Sequence, residues 1–240
     1  MLPLTYRARL REKIILTPHM RDFMMELEDP STMEFKAGQF VLIKAKNPNT
    51  GELLSRAYSI ASPPSEIHVL RLNVEIVPQG KLTPLIDQWE IDHAVELQGP
   101  FGHFVVKSGP EKKALLFVAT GVGVAPFRSM IEDLLAKGDS RELHLYFGVR
   151  SEEDIFYRDI FEVLARAHPN FHFTLTLSRP GDGWTGSTGR VTALLHEASF
   201  DPSATDAYLC GGKPMIDDVK KILLEKGFSA QQIHFEPFFI

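Results

Sequence analysis

The sequence of 240 residues has little cysteine and no long hydrophobic run. Its single cysteine, Cys210, excludes an internal disulfide, a four-cysteine zinc site and an iron–sulfur cluster held by this chain alone. No segment approaches the roughly 18 uncharged apolar residues that a membrane-spanning helix requires. We therefore expect no metal site and no membrane partner, and any redox chemistry needs a bound organic cofactor.

Positive charge is also scarce, because the chain has 26 Lys and Arg residues and 31 Asp and Glu residues. A basic excess is usual in nucleic-acid-binding proteins, so no nucleic-acid partner is expected. The opening segment, MLPLTYRARLREKIIL, carries scattered charges and does not read as a signal peptide, which makes a cytoplasmic location the default. Its cations, Arg7, Arg9, Arg11 and Lys13, form either a local basic patch or a solvated strand face, and we favour the strand face.

The hydrophobic pattern changes character near residue 108. Before it come short strand-like segments broken by turn residues: YRARLREKIIL, RDFMMELED, GQFVLIKAK, RAYSIAS, EIHVLRLNVEIV and HAVELQGPFGHFVV, with one short helix at LTPLIDQW. This pattern predicts an antiparallel barrel or sandwich. After KSGPEKK, strands alternate with helix-length segments, which predicts a parallel sheet covered by helices on both faces. We expect two domains, an antiparallel β-barrel over 1–108 and an α/β doubly wound parallel-sheet domain over 109–240.

Two glycine-rich junctions end strands of the predicted parallel sheet. FVATGVGVAPF places Gly121 and Gly123 between a strand and a helix, with Pro126 early in that helix. Glycine lets a backbone approach a phosphate, although a tight structural turn is the alternative reading. LCGGKPM ends another strand. Because ligands of open α/β sheets bind beyond the carboxyl ends of the strands, we expect one crevice lined by both junctions: Thr120, Gly121, Gly123, Cys210, Gly211 and Gly212.

The segment RAYSIAS raises the question of its ligand. In a strand, Arg56, Tyr58 and Ile60 would share one face, and Ala57 and Ser59 the other. A guanidinium, an aromatic ring and a hydroxyl together suit a planar, anionic ligand. Further along, QGKLTPLID places Gly80 in a turn and Thr83 where it caps a short helix or helps to hold a phosphate.

Several motifs, in this order, resemble the ferredoxin–NADP(H) reductase superfamily: RAYSIAS, GKLT, GPFGHF, GVGVAPF, YFGVRSEEDIFY, CGGKPM and HFEPFFI. The resemblance spans roughly residues 5 to 240. It implies a flavin-binding barrel followed by a nicotinamide-nucleotide domain, with both ligands meeting at the domain interface. It also implies that Arg56 pairs with flavin phosphate, Tyr58 packs against the isoalloxazine ring and Ser59 hydrogen-bonds near the reactive nitrogen.

The same resemblance assigns further flavin contacts. It implies that the flavin phosphate is bound by Gly80, Lys81, Leu82 and Thr83. It also implies that the strand containing Arg71, Asn73 and Val74 runs past the flavin ring. Two phosphate contacts favour FAD over FMN. The aromatic rings of Phe235, Phe238 and Phe239 either cover the cofactor or pack in the core.

The resemblance further implies that NAD(P)H binds across Thr120 to Pro126, with its nicotinamide beside Cys210. The catalytic candidates are Ser59, Cys210 and Glu236, with Glu236 relaying a proton, although Pro237 stands where the family often has Lys. Three arginines occupy places that surround the 2′-phosphate in NADPH-using relatives: Arg150, Arg179 and Arg190. A surface charge, or an ion pair with neighbouring Glu152, Glu153 or Asp154, is the alternative for each. Trp184 and Gly186 instead resemble NADH-using oxygenase reductases, and we lean to NADPH.

The leading hypothesis is therefore an FAD-dependent NAD(P)H oxidoreductase that passes electrons to a separate acceptor such as ferredoxin or flavodoxin. The first alternative is an NAD(P)H:flavin reductase, with free flavin as acceptor, or the reductase component of an oxygenase. A second alternative is a non-autonomous flavin-binding subunit of a larger electron-transfer complex, and a third is a flavin-binding fold without turnover.

Overall fold

The computed structural model describes residues 4–107 and 112–238. The chain divides into two compact units. The first contains the chain up to Val106 together with Ala125–Asp133, and the second contains Lys107–Val124 together with the chain from Leu134 onwards. The predicted domain boundary at residue 108 lies outside the described residues and stays a prediction.

The first unit is a six-stranded antiparallel barrel, as the strand pattern predicted. Its strands follow the order β4-β3-β6-β1-β2-β5. A bridge between Ile60 and Leu72, and a hydrogen bond from the Ala61 N–H to the Arg71 carbonyl (2.8 Å), join the two edges. The elements are β1 (Leu4–Thr17), β2 (Met20–Asp29), β3 (Phe40–Lys46), β4 (Leu53–Ser59), β5 (Val69–Glu75), α1 (Thr83–Ile86) and β6 (Ala94–Phe101).

Alternation along the strands builds the barrel core. In β1, Tyr6, Ala8 and Leu10 are buried, because side chains two apart in a strand share one face. The intervening cations lie on the outer face, where Arg9 pairs with Glu28 (2.6 Å). Arg11 pairs with Glu26 and Asp92, Lys13 with Asp87 and Arg7 with Asp29. The opening cations therefore belong to a solvated, ion-paired strand face and do not form a basic patch.

The second unit is a parallel sheet with helices, again as predicted. Its strand order is β10-β9-β8-β7-β11-β12, and every pairing is parallel. The strands are β7 (Ala114–Thr120), β8 (Glu142–Val149), β9 (Phe171–Leu177), β10 (Ser187–Thr188), β11 (Thr205–Gly212) and β12 (Ile233–Phe238). The helices are α2 (Ala125–Ala136), whose residues up to Asp133 belong to the first unit, α3 (Arg158–Ala167), α4 (Val191–Glu197) and α5 (Lys213–Glu225).

Helices cover both faces of this sheet. On one face, Phe161 of α3 packs against Phe171 and Phe173 of β9. On the other, the apolar sides of α4 and α5 join Leu116 and Val118 of β7 in one buried cluster. Among the described residues, no helix combines the length and the apolar character needed to cross a bilayer.

Candidate functional site

The carboxyl ends of β7 and β11 bring the two glycine-rich junctions together. The strands are neighbours, and Cys210 lies opposite Ala119. A Cβ at Gly123 would overlap the carbonyl oxygen of Cys210, and one at Gly211 would overlap the hydroxyl of Thr120. Only glycine permits so close an approach of two backbones. The structure thus places the six predicted crevice residues at one edge of the sheet.

The chain after β7 offers the start of a helix to a ligand. Gly121–Val124 forms a 3-10 turn, α2 begins at Ala125, and Pro126 is the second helical residue, as expected. Gly121 has a φ of +53° and faces open space. The first N–H groups of a helix lack backbone partners and carry the positive end of its dipole, which suits a phosphate.

Strand β12 places Glu236 opposite Cys210. The thiol of Cys210 is fully buried. Burial raises its pKa well above the ordinary value, and the charge of Glu236 raises it further. The Cys210 thiol therefore stays protonated and uncharged, and it does not act as a nucleophile. Glu236 is half-buried, and burial raises its pKa to about 7. A carboxyl with that pKa gains and loses a proton near neutral pH.

Three exposed arginines follow neighbouring strand ends in the second unit. Arg150 comes after β8, Arg179 after β9, and Arg190 immediately before α4. The Arg179 N–H donates to the Arg150 carbonyl (2.7 Å), which fixes these two backbones side by side. Within residues 112–238, none of the three guanidinium groups has an acidic partner.

The acidic residues nearby are engaged elsewhere. The Glu152 carboxylate accepts from the N–H of Gly181 (2.9 Å), and Asp154 accepts from Ser151. In the described chain neither carboxylate pairs with any of the three arginines, so the choice between a surface charge and a ligand contact stays open for each. Their positive charge stays available to an anionic ligand.

Trp184 is held by its own loop. Its ring N–H donates to the Ser187 carbonyl (2.9 Å), and the guanidinium of Arg158 lies over the ring, 5.6 Å from its centroid. A Cβ at Gly186 would overlap the ring. The Trp184 and Gly186 pair thus has a structural role that is sufficient to explain both residues.

In the first unit, β4 presents the three residues of the Arg-x-Tyr-Ser motif. Arg56 is exposed, and its Nη1 donates only to the carbonyl of Ser55 (2.8 Å) in the described chain. Tyr58 packs against the barrel core, and burial raises the pKa of its hydroxyl. Ser59 is 6% exposed. A free guanidinium, a half-buried ring and a neighbouring hydroxyl fit a planar, anionic cofactor.

In the GKLT segment, the hydroxyl of Thr83 has a different hydrogen-bond partner from the one that the sequence predicted. The Thr83 hydroxyl accepts from the Val77 N–H (2.9 Å) and makes no cap hydrogen bond to α1, so the capping prediction is wrong. The side chain of Leu82 is buried in the barrel core. Lys81 pairs with Glu52 (3.0 Å) on the surface, and such a pair is easily exchanged for another anion. Gly80 completes this tight turn by donating to the Val77 carbonyl (2.8 Å).

The strand that carries Arg71, Asn73 and Val74 offers little side-chain chemistry to a ligand. The Arg71 guanidinium pairs with Glu12 (2.7 Å) and Asp22 (3.3 Å). Val74 is fully buried, and Asn73 is 2% exposed. Any contact from this segment to a bound ring therefore comes chiefly from its backbone.

The aromatic residues near the C-terminus have different surroundings. Phe235 is exposed, and the ammonium of Lys220 lies 4.0 Å from its ring centroid. Phe238 is half-buried, and Phe239 lies outside the described residues. Core packing does not explain Phe235.

Comparison with known proteins agrees with this two-part arrangement. Residues 7–106 match the model "Oxidoreductase FAD-binding domain", and residues 117–221 match "Oxidoreductase NAD-binding domain". The chain is 36% identical to ferredoxin–NADP reductase B of Sorangium cellulosum (strain So ce56), over 96% of both chains. It is 34% identical to the phenol hydroxylase P5 protein of Acinetobacter pittii (strain PHEA-2), over 97% of this chain.

The match to the phenol hydroxylase protein is partial, because the chain spans 65% of that relative's length. Among solved structures, the cytochrome P450 reductase GcoB of Amycolatopsis superposes with a TM-score of 0.88 at 29% identity. That superposition covers 98% of this chain and 70% of the reductase.

Proposed function

Because the chain belongs to the ferredoxin–NADP(H) reductase superfamily, we propose that it is a flavin-dependent NAD(P)H oxidoreductase that delivers electrons to a separate acceptor. The observation that carries the proposal is the Arg56, Tyr58 and Ser59 set on β4. It combines an exposed guanidinium, which donates only to the Ser55 carbonyl in the described chain, with a half-buried ring and a hydroxyl on the same strand.

We assign FAD as the cofactor of the barrel unit, in preference to FMN. A bound flavin accepts two electrons and a proton from reduced nicotinamide and can release the electrons singly or paired. The chain supplies the binding groups. Arg56 offers a forked cation to a phosphate, Tyr58 offers an aromatic face, and Ser59 offers a hydroxyl that can donate or accept.

The nucleotide unit contributes placement and proton supply. Close packing of Gly123 on the Cys210 backbone brings the two glycine junctions together, while the start of α2 suits the pyrophosphate. The neutral Cys210 thiol introduces no charge beside a nicotinamide ring. Glu236, with its pKa near 7, can hold a proton at its carboxyl and release it within the working pH range.

The preferred nucleotide in this proposal is NADPH. A 2′-phosphate carries about 1.5 to 2 negative charges at neutral pH, and the three exposed arginines Arg150, Arg179 and Arg190 are the unpaired cations beside the crevice. Guanidinium forks match phosphate oxygens in pairs. NADH lacks this group and would leave the arginines without a ligand.

The acceptor is proposed to be a ferredoxin, a flavodoxin or the oxygenase of a multicomponent system. The relatives named ferredoxin–NADP reductase B and phenol hydroxylase P5 protein support both kinds of partner. Release of reduced flavin to free solution is the second candidate.

The flavin assignment is tested by Arg56→Ala. The purified protein should be yellow and should bleach anaerobically when NADPH is added. Loss of the charge-assisted contacts should weaken FAD binding by about 10- to 100-fold, with little change in thermal unfolding of the apoprotein. Arg7→Ala, another exposed arginine on the barrel, is the control. Equal FAD affinity in the Arg56 variant removes that residue from the site, and a colourless protein that refuses added FAD refutes the flavin assignment.

The nucleotide assignment is tested by Arg179→Ala and Arg190→Ala. Each should raise KM for NADPH by about tenfold or more and leave KM for NADH unchanged. Arg166→Ala, on the exposed end of α3, is the control. Equal effects on both nucleotides contradict recognition of the 2′-phosphate. Parallel assays with ferredoxin, free riboflavin and an artificial acceptor then separate the acceptor classes.

A further inference from the structure

Three metal-ligating side chains meet on the sheet of the second unit, away from the crevice. Glu142 and His144 are two residues apart on β8 and therefore share one face. His172 of β9 lies directly opposite His144 in the parallel register. The topology alone thus places a carboxylate and two imidazoles side by side.

The side chains already interact in the structure. Nε2 of His172 lies 2.8 Å from Oε2 of Glu142. The rings of His144 and His172 stack with centroids 4.7 Å apart and an interplanar angle of 21°. One ligand atom from each residue can be chosen so that all three lie within 4.8 Å of one another.

Neighbouring groups hold one imidazole in place. The ring of Phe200 meets His144 edge-on at 5.7 Å and also packs against Tyr146, the next residue on this face of β8.

The outer side of the cluster is open. The side chains of His172 and Glu142 are 49% and 51% exposed, so a bound ion could complete its coordination with water. No Lys or Arg competes for Glu142 within the described ranges 4–107 and 112–238, where its salt-bridge partner is His172.

We propose that Glu142, His144 and His172 form a binding site for a borderline divalent cation, with Zn²⁺ as the ion of choice. Two imidazoles, one carboxylate and an open fourth position are a recognised zinc ligand set. Zinc bonds of about 2.0–2.2 Å put tetrahedral ligand atoms about 3.4 Å apart, so small side-chain rotations close the cluster. The ion replaces the direct contact between Nε2 of His172 and Oε2 of Glu142. Ca²⁺ and Mg²⁺ fit less well, because they prefer oxygen ligands.

This site is separate from the nucleotide crevice of the same unit. It lies near the amino ends of β8 and β9, whereas the crevice lies at the carboxyl ends. Val149, at the end of β8, lies five positions after His144, which is about 16 Å along an extended strand. A cation here cross-links two neighbouring strands and stabilises the folded unit, because it binds the native arrangement only. The proposal does not depend on the flavin assignment.

The test is a calorimetric titration of the untagged full-length protein with ZnCl₂ in a non-coordinating buffer. We expect one saturable site in the wild type, and binding at least tenfold weaker in His144→Gln and in His172→Gln. Wild-type Tm should rise by about 5 °C at a hundredfold excess over Kd. His19→Gln, which removes an exposed histidine of the barrel unit, is the control and should bind like wild type.

A second readout is the visible spectrum with Co²⁺, whose ligand-field bands should appear in the wild type and in the control but not in the two variants. If either histidine variant fails to fold, Glu142→Gln replaces it, and its Zn²⁺ affinity and Co²⁺ spectrum are compared with those of the wild type. Absence of saturable Zn²⁺ binding, or equal affinity in the variants and the wild type, overturns the proposal and leaves the cluster as a surface ion pair.

Discussion

Replacing Glu236 by glutamine measures how much the charge of this half-buried carboxyl, which lies opposite Cys210, lowers the free energy of unfolding. A pKa of about 7 in place of 4.5 corresponds to about 3 kcal/mol for carrying the charge in the folded chain. Screening by water at a partly exposed side chain reduces this to about 2 kcal/mol. Because the folded pKa of this acid is raised, the wild type is penalised progressively as pH rises from 4.5 to 7, and fully above 7. Glutamine resembles the neutral carboxyl and avoids that penalty.

The assay is urea unfolding of wild type and Glu236→Gln at intervals from pH 4.5 to 8.5. We expect the free energy of unfolding of the variant to rise relative to wild type by about 2 kcal/mol across that range. Glu197→Gln, an exposed glutamate at the end of α4, measures what the exchange does at a solvated carboxyl. A constant difference between Glu236→Gln and wild type refutes the reasoning from burial. If Glu236 also supplies a proton, the variant loses the inflection near pH 7 in kcat.

Two further substitutions test a close backbone contact in the second unit and a buried ion-pair cluster in the first unit. Gly123→Ala places a Cβ against the Cys210 carbonyl, and should destabilise the second unit by about 1–3 kcal/mol in urea unfolding while raising KM for NADPH. Asp22→Asn removes the buried carboxylate that lies 3.3 and 3.5 Å from Arg71 and Arg128. Because Arg71 keeps Glu12 and Arg128 keeps Glu132, the free energy of unfolding should fall by about 2 kcal/mol.

Matched controls separate these effects from the chemistry of the exchange. Gly183→Ala adds a Cβ with nothing within 4 Å and should leave stability unchanged. Asp182→Asn removes an exposed carboxylate and should likewise have little effect. If Gly123→Ala behaves like Gly183→Ala, the two crevice backbones are not in the contact described. If Asp22→Asn behaves like Asp182→Asn, the buried ion pairs contribute nothing.

Local patterns in the sequence were sufficient for most of the fold. Alternation of period two predicted the six barrel strands, and the strand–helix alternation predicted the order of the parallel unit, because both depend on neighbours in the chain. Strand β12 escaped prediction. Its short length and Pro237 hide the strand signal, and its position at a sheet edge, which tolerates proline, emerges only from pairing with β11.

The candidate site also has features that the sequence predicted and features that only the tertiary structure showed. Sequence alone predicted the two glycine junctions, since tight turns are local properties. The Arg56, Tyr58 and Ser59 set followed from the family resemblance and stays a prediction. Only the tertiary structure decided that Arg71 pairs with Glu12 and Asp22, and that Glu236 is half-buried opposite Cys210. It alone brought His172 beside Glu142 and His144. The physical reason is that burial and charge pairing depend on register between strands distant in the chain, which no local pattern encodes.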